Sequence, residues 1–440
     1  MLKHLQRLVF FFEKKVYGKY DFKISNLFPK FHRLKALTWY ALGGWRWASA
    51  KPGSKEIICF IYSEAGKRML PPVLESLARR AKERNMAVRL CLVLAGGKIK
   101  KLHLQRLKSI GCSLQMSTSK LMEAARHPED KLVLLCLDHR EFYQDHKIGV
   151  DVADKLQRFG VKTISIQHGG CRQDSLKGLS TSASSLTLVW GEIAFRELTC
   201  TYGLAAKKLR LVGNLLHDRW ARPDLGKILE RVVATFPRLK ENGWQKTKIL
   251  LAGCNHREYD HLDRPPYYYQ LFLKNIYTAI DFSKAVLFVL PHPVDKTGQK
   301  EWCWQYFSER EQVRENIYIV DPEECGIDIY DLLIVSDLVM TRASTVAEEA
   351  LILGKTVVGY DVVEKSYLKQ YSFLKEFRNF HSCIDSSPEG LRKVLDDLIA
   401  TVSTRHGTFS IDAQAERFFT YRLDGQSGHR TADAILEELW

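Results

Sequence analysis

The chain has 440 residues and a formal net charge of +15, with 45% hydrophobic and 27% charged residues. A chain of this length exceeds what one hydrophobic core usually holds, so we expect two domains. The composition is typical of a globular protein and argues against both extensive disorder and a membrane-embedded bundle.

Positive charge and aromatic residues are concentrated in residues 1–55. This segment holds twelve Lys and Arg residues against two acidic residues, Glu13 and Asp21. Cations interleaved with Phe, Tyr and Trp are typical of a segment that lies at an anionic membrane surface. An extension that packs its aromatic residues on the protein body is an equally good interpretation. We predict no nucleic-acid partner, because no nucleic-acid-binding sequence pattern accompanies the charge.

The ten cysteines are scattered singly, without a C-x-x-C pair, and several lie in apolar runs. This usage indicates a reducing compartment. No run reaches the roughly 18 apolar residues that a membrane-spanning helix needs. We therefore expect a cytoplasmic protein, peripheral on the inner face of the cytoplasmic membrane.

Short apolar runs alternate with longer helical patterns from residue 56 onward. In the first half we predict strands at 56–62, 87–94, 132–137, 161–166, 186–190 and 209–212, with helices that include 71–84, 148–159 and 192–202. The alternation restarts with predicted strands at 248–252, 285–290, 317–320, 337–340 and 356–360. Such alternation is typical of parallel sheets whose strands are joined by helical crossovers.

The predicted fold class is α/β, with two Rossmann-like, doubly wound parallel-sheet domains facing each other across a cleft. The predicted segments are an extension at 1–55, a first domain at 56–223, a linker at 224–246, a second domain at 247–387 and C-terminal helices at 388–440 that pack back on the body. Ligands of open α/β sheets bind beyond the carboxyl ends of the strands. Functional residues should therefore come just after strands.

The segment from Thr341 to Val358 has the pattern strand, tight turn, helix, glycine and strand. Ser344 and Thr345 would present hydroxyl and backbone N–H groups at a helix N-terminus, where an anion is favoured. Glu349 follows about one turn later and can accept hydrogen bonds from ribose hydroxyls. An N-cap residue that only opens a structural helix is the alternative interpretation.

This segment resembles the carboxyl-terminal half of GT-B glycosyltransferases, where an S-T-x-x-x-E-A segment ending in G-K-x-V-V contacts the donor nucleotide. His292-Pro293 is similar to the H-P dipeptide of bacterial sialyltransferases, Kdo (3-deoxy-manno-octulosonic acid) transferases and CDP-glycerol glycerophosphotransferases. In those families the histidine stabilises the phosphate of a cytidine nucleotide, which implies the same role for His292. Asn255 and Arg257 lie in a loop that GT-B enzymes place near the donor phosphates, with Arg257 as the anion clamp.

The segment from Ile166 to Gly170 ends an apolar run with Gln167, His168 and two glycines. It resembles the Q-H-G or W-H-G turn of surface-polysaccharide and teichoic-acid transferases. His168 can act as a general base near neutral pH, while Gly169 and Gly170 let the backbone turn sharply and leave room for a substrate. Gln167 and Gly170 depart from the W-H-G-T of the CDP-glycerol enzymes.

Two carboxylates are alternative bases, ranked after His168. Asp138 ends the run 132–137, and Glu64 follows the first predicted strand. Either carboxylate could instead orient His168 or cap a helix. The alternative interpretation of His168 is a histidine whose only role is to hydrogen-bond a loop.

The resemblance implies an enzyme, an inverting glycosyltransferase that uses a nucleotide-sugar donor as co-substrate and needs no other cofactor. The chain has no D-x-D triplet and no defined zinc ligand set, so we predict no metal. The favoured reaction moves Kdo or another acidic sugar from a CMP-sugar onto a glycan or glycolipid acceptor such as lipopolysaccharide or capsule, with a UDP-sugar donor still open. The alternatives are a CDP-glycerol-type polyol-phosphate transferase and a non-catalytic glycan-binding protein on a GT-B scaffold.

Overall fold

A computed structural model describes residues 55–95, 99, 101–115, 118–253, 259, 262–292, 302–312, 315–342, 344–364, 372–402 and 409–440. The predicted extension therefore lies outside the described residues, apart from Lys55. Asn255 and Arg257 lie outside them as well.

The first half of the described chain forms a parallel sheet of seven strands. These strands are β1 (Lys55–Ile61), β2 (Val88–Leu94), β3 (Ser113–Gln115), β4 (Lys131–Leu135), β5 (Lys162–Ile166), β6 (Leu186–Val189) and β7 (Leu209–Leu211). Their order in the sheet is β3-β2-β1-β4-β5-β6-β7, and every pair is parallel. The central strands are apolar on both faces, as expected for a sheet covered by helices.

Helices join these strands as crossovers. They are α1 (Glu64–Glu83), α2 (Lys101–Ser109), α3 (Ser119–Ala124), α4 (Tyr143–Arg158), α5 (Gln173–Ser180) and α6 (Glu192–Arg196). The first helix begins seven residues before the predicted start at Pro71, because the side chain of Ser63 caps it by accepting from the N–H of Gly66 at 3.1 Å. Pro71 therefore lies inside the helix and does not open it.

The second half forms a separate parallel sheet after the bridging helix α7 (Leu225–Thr235). Its strands are β8 (Thr247–Ala252), β9 (Ala285–Leu290), β10 (Ile317–Ile319), β11 (Leu338–Thr341), β12 (Thr356–Asp361) and β13 (Phe380–Ile384), in the order β10-β9-β8-β11-β12-β13. Its helices are α8 (Pro265–Ala279), α9 (Trp302–Glu311), α10 (Pro322–Cys325), α11 (Ile329–Val335), α12 (Thr345–Ile352) and α13 (Pro388–Val402). Two distinct, wholly parallel sheets confirm the predicted fold class.

The chain ends in α14 (Ala413–Thr420) and α15 (Ser427–Leu439), and α15 returns to the first sheet. The carboxylate of Asp433 on α15 accepts hydrogen bonds from Arg80 of α1 and from Arg84, which follows that helix, at 2.8 to 2.9 Å. Ile435 of α15 belongs to the same buried cluster as Ile57 of β1. The boundaries that the sequence assigns to each domain stay a prediction.

One hydrophobic cluster contains residues from both halves, including Leu176 and Val189 of the first and Leu250 and Val339 of the second. This shared core holds the two sheets in a defined relation. Across the described residues, no helix has both the length and the apolar character needed to cross a bilayer.

Candidate active site

The carboxyl ends of β1, β4 and β5 are neighbours at one edge of the first sheet. Because these strands are parallel, the loops that follow them meet at that edge. The edge therefore brings together Glu64 and Arg68 after β1, Asp138 after β4, and His168 after β5.

The turn that carries His168 is fixed by the buried side chain of Gln167. The amide nitrogen of Gln167 donates to the carbonyl oxygen of Gly169 at 2.8 Å, and its amide oxygen accepts the N–H of Trp190 at 2.9 Å. One side chain thus ties the turn to the end of the neighbouring strand β6. The departure from the W-H-G-T pattern at this position has a structural role, because a tryptophan could not make this pair of bonds.

The structure gives Gly170 a different role from the one expected from the sequence. Neither Gly169 nor Gly170 lies among the glycines with positive φ, so the turn itself needs no glycine there. A Cβ atom at Gly170 would lie 2.3 Å from Oε1 of Glu348, whereas the nearest atom to a Cβ at Gly169 is 3.9 Å away. Gly170 is required because Glu348 of the second half approaches its backbone, so this space is occupied by protein.

His168 is partly exposed, and its Nδ1 atom is buried without a hydrogen-bond partner. Its ring lies 5.7 Å from that of His139, which in turn lies 4.9 Å from that of His146. Burial lowers the pKa of His168 well below its usual range, and positive charge on His139 and Arg68 would lower it further. The imidazole is therefore neutral at physiological pH and can accept a proton.

The contacts of the two carboxylates differ sharply. Asp138 is fully buried, and its oxygens accept hydrogen bonds from Ser165, Ser182 and Ser184, the last through both its hydroxyl and its backbone N–H. Glu64 has a side chain that is 88% exposed and pairs with Lys67 in the first turn of α1. Asp138 is enclosed by donors and Glu64 faces solvent, so this geometry favours His168 as the base.

At the matching edge of the second sheet, β9, β8 and β11 are neighbours. Leu290 pairs with Ala252, and Ala252 pairs with Thr341, so the three strands end level with one another. His292 follows the first of these strands and Ser344 follows the last. The strand ends that carry them, Leu290 and Thr341, are two strands apart, roughly 10 Å.

Backbone contacts hold His292 beside the end of β8. The N–H of Gly253 donates to the carbonyl oxygen of Leu290 at 2.9 Å. A Cβ atom at Gly253 would lie 3.1 Å from the backbone nitrogen of His292, so a side chain there would crowd the histidine loop. This packing places His292 at the carboxyl-terminal edge of the second sheet, beside the end of β8.

The two edges meet at the N-terminus of α12. The side chain of Ser344 caps this helix by accepting from the N–H of Val346 at 3.3 Å. The hydroxyl of Thr345 accepts the N–H of Gly170 at 3.0 Å, and Glu348 accepts the N–H of Cys171 at 2.5 Å. The His168 turn is therefore hydrogen-bonded directly to the helix predicted to bind the donor nucleotide.

Two neighbouring glutamates of α12 have different surroundings. Burial raises the pKa of Glu348 to about 8, an effect opposed by the Cys171 N–H and strengthened by the charge of Glu349. Glu349 is also buried, and its Oε1 lies 3.2 Å from Nε2 of His217, which follows β7. The ring of His217 also contacts Asn214 and Thr420 at 2.9 and 3.1 Å. The predicted ribose contact of Glu349 stays a prediction.

Sequence reasoning did not select four residues that the structure brings to this region: Arg68, His139, His217 and Glu348. Glu348 adjoins the selected Glu349, but only tertiary contact shows that it faces the His168 turn. His217 comes three residues after Asn214 in the loop that ends β7, a spacing that on a helical turn places both side chains on one face. That spacing was a usable signal, whereas nothing local marks Arg68.

No protein-family model matches the chain. A curated relative is the teichoic acid ribitol-phosphate primase of Bacillus spizizenii (strain ATCC 23059 / NRRL B-14472 / W23), which is 25% identical over 214 residues. The match covers 47% of this chain and 47% of the relative, so it spans about half the length of each.

Solved structures share the fold over most of the chain. The UDP-GlcNAc 2-epimerase of Neisseria meningitidis, bound to UDP-GlcNAc, has a TM-score of 0.60 at 13% identity and covers 87% of this chain and 100% of its own. The chain has a GT-B fold. A putative UDP-N-acetylglucosamine 2-epimerase from Listeria monocytogenes has a TM-score of 0.56 at 14% identity, and the match covers 88% of this chain and 97% of that one. The UDP-GlcNAc 2-epimerase from Methanocaldococcus jannaschii has a TM-score of 0.51 at 15% identity, and the match covers 87% of this chain and 99% of that one.

Proposed function

We propose that the protein is a transferase that moves an activated group from a cytidine nucleotide onto a cell-surface glycan or glycolipid. The transferred group is a polyol phosphate, such as ribitol phosphate or glycerol phosphate. The observation that carries this proposal is the docking of the His168 turn on the N-terminus of α12. Through this contact the turn that carries His168, at the edge of the first sheet, lies against the N-terminus of α12. His292 lies at the same edge of the second sheet as that helix end.

The teichoic acid relative supports the choice of polyol phosphate. The H-P dipeptide at His292 is common to the Kdo and CDP-glycerol families, so it does not separate them. The Q-H-G-G turn departs from W-H-G-T, but both departures have local structural reasons, namely the bonds of Gln167 and the approach of Glu348 to Gly170. These departures therefore do not weigh against the polyol-phosphate reaction.

In the proposed reaction, His168 takes the proton of the acceptor hydroxyl as the acceptor oxygen attacks the phosphorus that carries the polyol. A new O–P bond forms, the bond to CMP breaks, and CMP leaves with the negative charge. His292 and the N-terminus of α12 at Ser344 bind that departing phosphate, since helix N-termini and imidazole N–H groups stabilise anions. A positioned base of this kind contributes roughly 10²- to 10⁴-fold to rate.

Asp138 has a positioning role in this scheme. Its bonds to Ser165 of β5 and to Ser182 and Ser184 tie the β4 loop to the strand that ends in His168. Residues 1–55 are proposed to hold the enzyme at the anionic inner face of the cytoplasmic membrane, where a lipid-linked acceptor would be reached.

The test is CMP release from CDP-ribitol and CDP-glycerol, with CMP-Kdo and a UDP-sugar as comparison donors, with and without a glycan acceptor. We expect acceptor-dependent release from a CDP-polyol, reduced at least roughly hundredfold in His168→Ala. His127→Ala is a matched control, because His127 is an exposed histidine of the same half. Release from CMP-Kdo alone would support the acidic-sugar reaction instead, and no turnover with any donor would support a non-catalytic role.

A further inference from the structure

Arg68 lies at the cleft edge of the first sheet, beside the proposed base. It is in the second turn of α1, which begins directly after β1. Its Nη2 atom donates to the backbone carbonyl oxygen of His168 at 2.8 Å, while the residue as a whole is exposed. The hydrogen bond holds the guanidinium next to the His168 turn and leaves it open to solvent.

Three other basic residues on α1 or at its C-terminal end have carboxylate partners. Lys67 pairs with Glu64, and Arg80 and Arg84 both pair with Asp433. Within the described ranges, Arg68 forms no ion pair and donates to one carbonyl oxygen. A guanidinium has five N–H donors, so most of its donors and its full charge are available to a ligand.

The charge of Arg68 acts on both halves of the protein. Burial lowers the pKa of His168, and the Arg68 charge adds to that effect from within the first half. Burial raises the pKa of Tyr330 on α11 of the second half, and the Arg68 charge opposes that rise. The Arg68 charge therefore acts on groups of both halves, as it would on an anionic ligand bound beside His168.

We propose that Arg68 binds a phosphate group of a substrate in the cleft beside His168. The Nη2 atom carries two hydrogens, so it can keep the bond to His168 with one and use the other, together with Nη1 or Nε, to form a bidentate pair with phosphate oxygens. The identity of the phosphate rests on the proposed function: it belongs either to the donor, as the phosphate being transferred, or to the acceptor, as a phosphate of its growing end. A bound phosphate would also neutralise the charge that disfavours protonation of His168, and so make the imidazole a stronger base when substrate is present.

The first test measures binding without turnover. Inorganic pyrophosphate is titrated into the full-length protein by calorimetry, with wild type, Arg68→Gln, Arg68→Lys and Arg79→Gln. Arg79 is the matched control, an exposed arginine of the same helix. We expect Arg68→Gln to bind pyrophosphate at least roughly tenfold more weakly than wild type, because it loses a charge-assisted pair. Arg68→Lys should lose less affinity, and Arg79→Gln should keep the wild-type affinity.

Equal affinity in wild type and Arg68→Gln would overturn the proposal, as would a wild-type protein that does not bind pyrophosphate. An equal loss in Arg79→Gln would show a general charge effect and would overturn it as well. This arm needs no substrate, so it can fail or succeed independently of the proposed reaction.

The second test identifies the source of the phosphate. With CDP-polyol and acceptor as substrates, a rise in the donor KM of Arg68→Gln assigns the donor phosphate, and a rise in the acceptor KM assigns the acceptor phosphate. Unchanged KM values for both substrates would contradict a binding role for Arg68.

Discussion

The contact between Glu348 and the His168 turn makes a quantitative prediction about pH. Glu348 is buried and accepts the N–H of Cys171 through Oε1. Its pKa is raised from 4.5 to about 8, chiefly by burial. A carboxyl group whose pKa is higher in the folded protein binds its proton more tightly when folded. Its contribution to stability is therefore complete below pH 4.5 and is lost as the pH rises toward 8.

The perturbation is Glu348→Gln. The glutamine keeps an oxygen that can accept the Cys171 N–H but has no proton to lose. The gap between 4.5 and about 8 corresponds to about 5 kcal/mol in full, at about 1.4 kcal/mol for each pH unit. Between about pH 5 and about pH 8 the wild-type protein should lose about 3.5 kcal/mol of stability that the variant retains.

The assay is urea unfolding of both proteins at these two pH values. Glu230→Gln is the control, because Glu230 is an exposed glutamate on α7 and should leave the pH dependence unchanged. If wild type and Glu348→Gln lose stability in parallel, the reasoning about a buried carboxyl at the junction of the two halves is wrong.

Three further changes test other parts of the site. Gly170→Ala places a methyl group 2.3 Å from Glu348, so it should cost about 1–3 kcal/mol of stability and lower the activity. Gly169→Ala is the control, because the nearest atom to its methyl group is 3.9 Å away, and it should change neither stability nor activity. Equal melting temperatures and turnover rates of the two variants would rule this out. His292→Ala should reduce CMP release by roughly tenfold or more with an unchanged circular dichroism spectrum, and full activity would remove it from the leaving-group site. Deletion of residues 1–55 should weaken sedimentation with anionic vesicles, and equal sedimentation would instead favour an extension packed on the body.

The sequence predicted the sheets well because their central strands are continuous apolar runs. β9 occurs at the predicted residues, and β8 and β12 differ from prediction by one residue at an end. β3 was missed because all three of its residues are exposed, so it has no apolar pattern to detect. β13 was missed because His381 and the exposed Ser382 interrupt its apolar residues, so it has neither a continuous apolar run nor a strict alternation.

The sequence also located the parts of the site that depend on local pattern. His168 and Ser344 both follow strands, as predicted, since a strand followed by a turn is visible in the sequence. It could not show that Gly170 contacts Thr345, because those residues are 175 positions apart and only the packing of the two halves joins them. For the same reason the sequence offered Asp138 as an alternative base and could not show that Ser165, Ser182 and Ser184 donate to its carboxylate.

The proposed reaction requires a donor nucleotide that lies between the two sheet edges. A crystal structure with CDP or a CDP-polyol tests this most directly. We expect the nucleotide phosphates within hydrogen-bonding distance of His292 and the N-terminus of α12, with the polyol end directed toward His168. A nucleotide bound elsewhere, or one whose phosphates face away from His168, would contradict the proposed reaction.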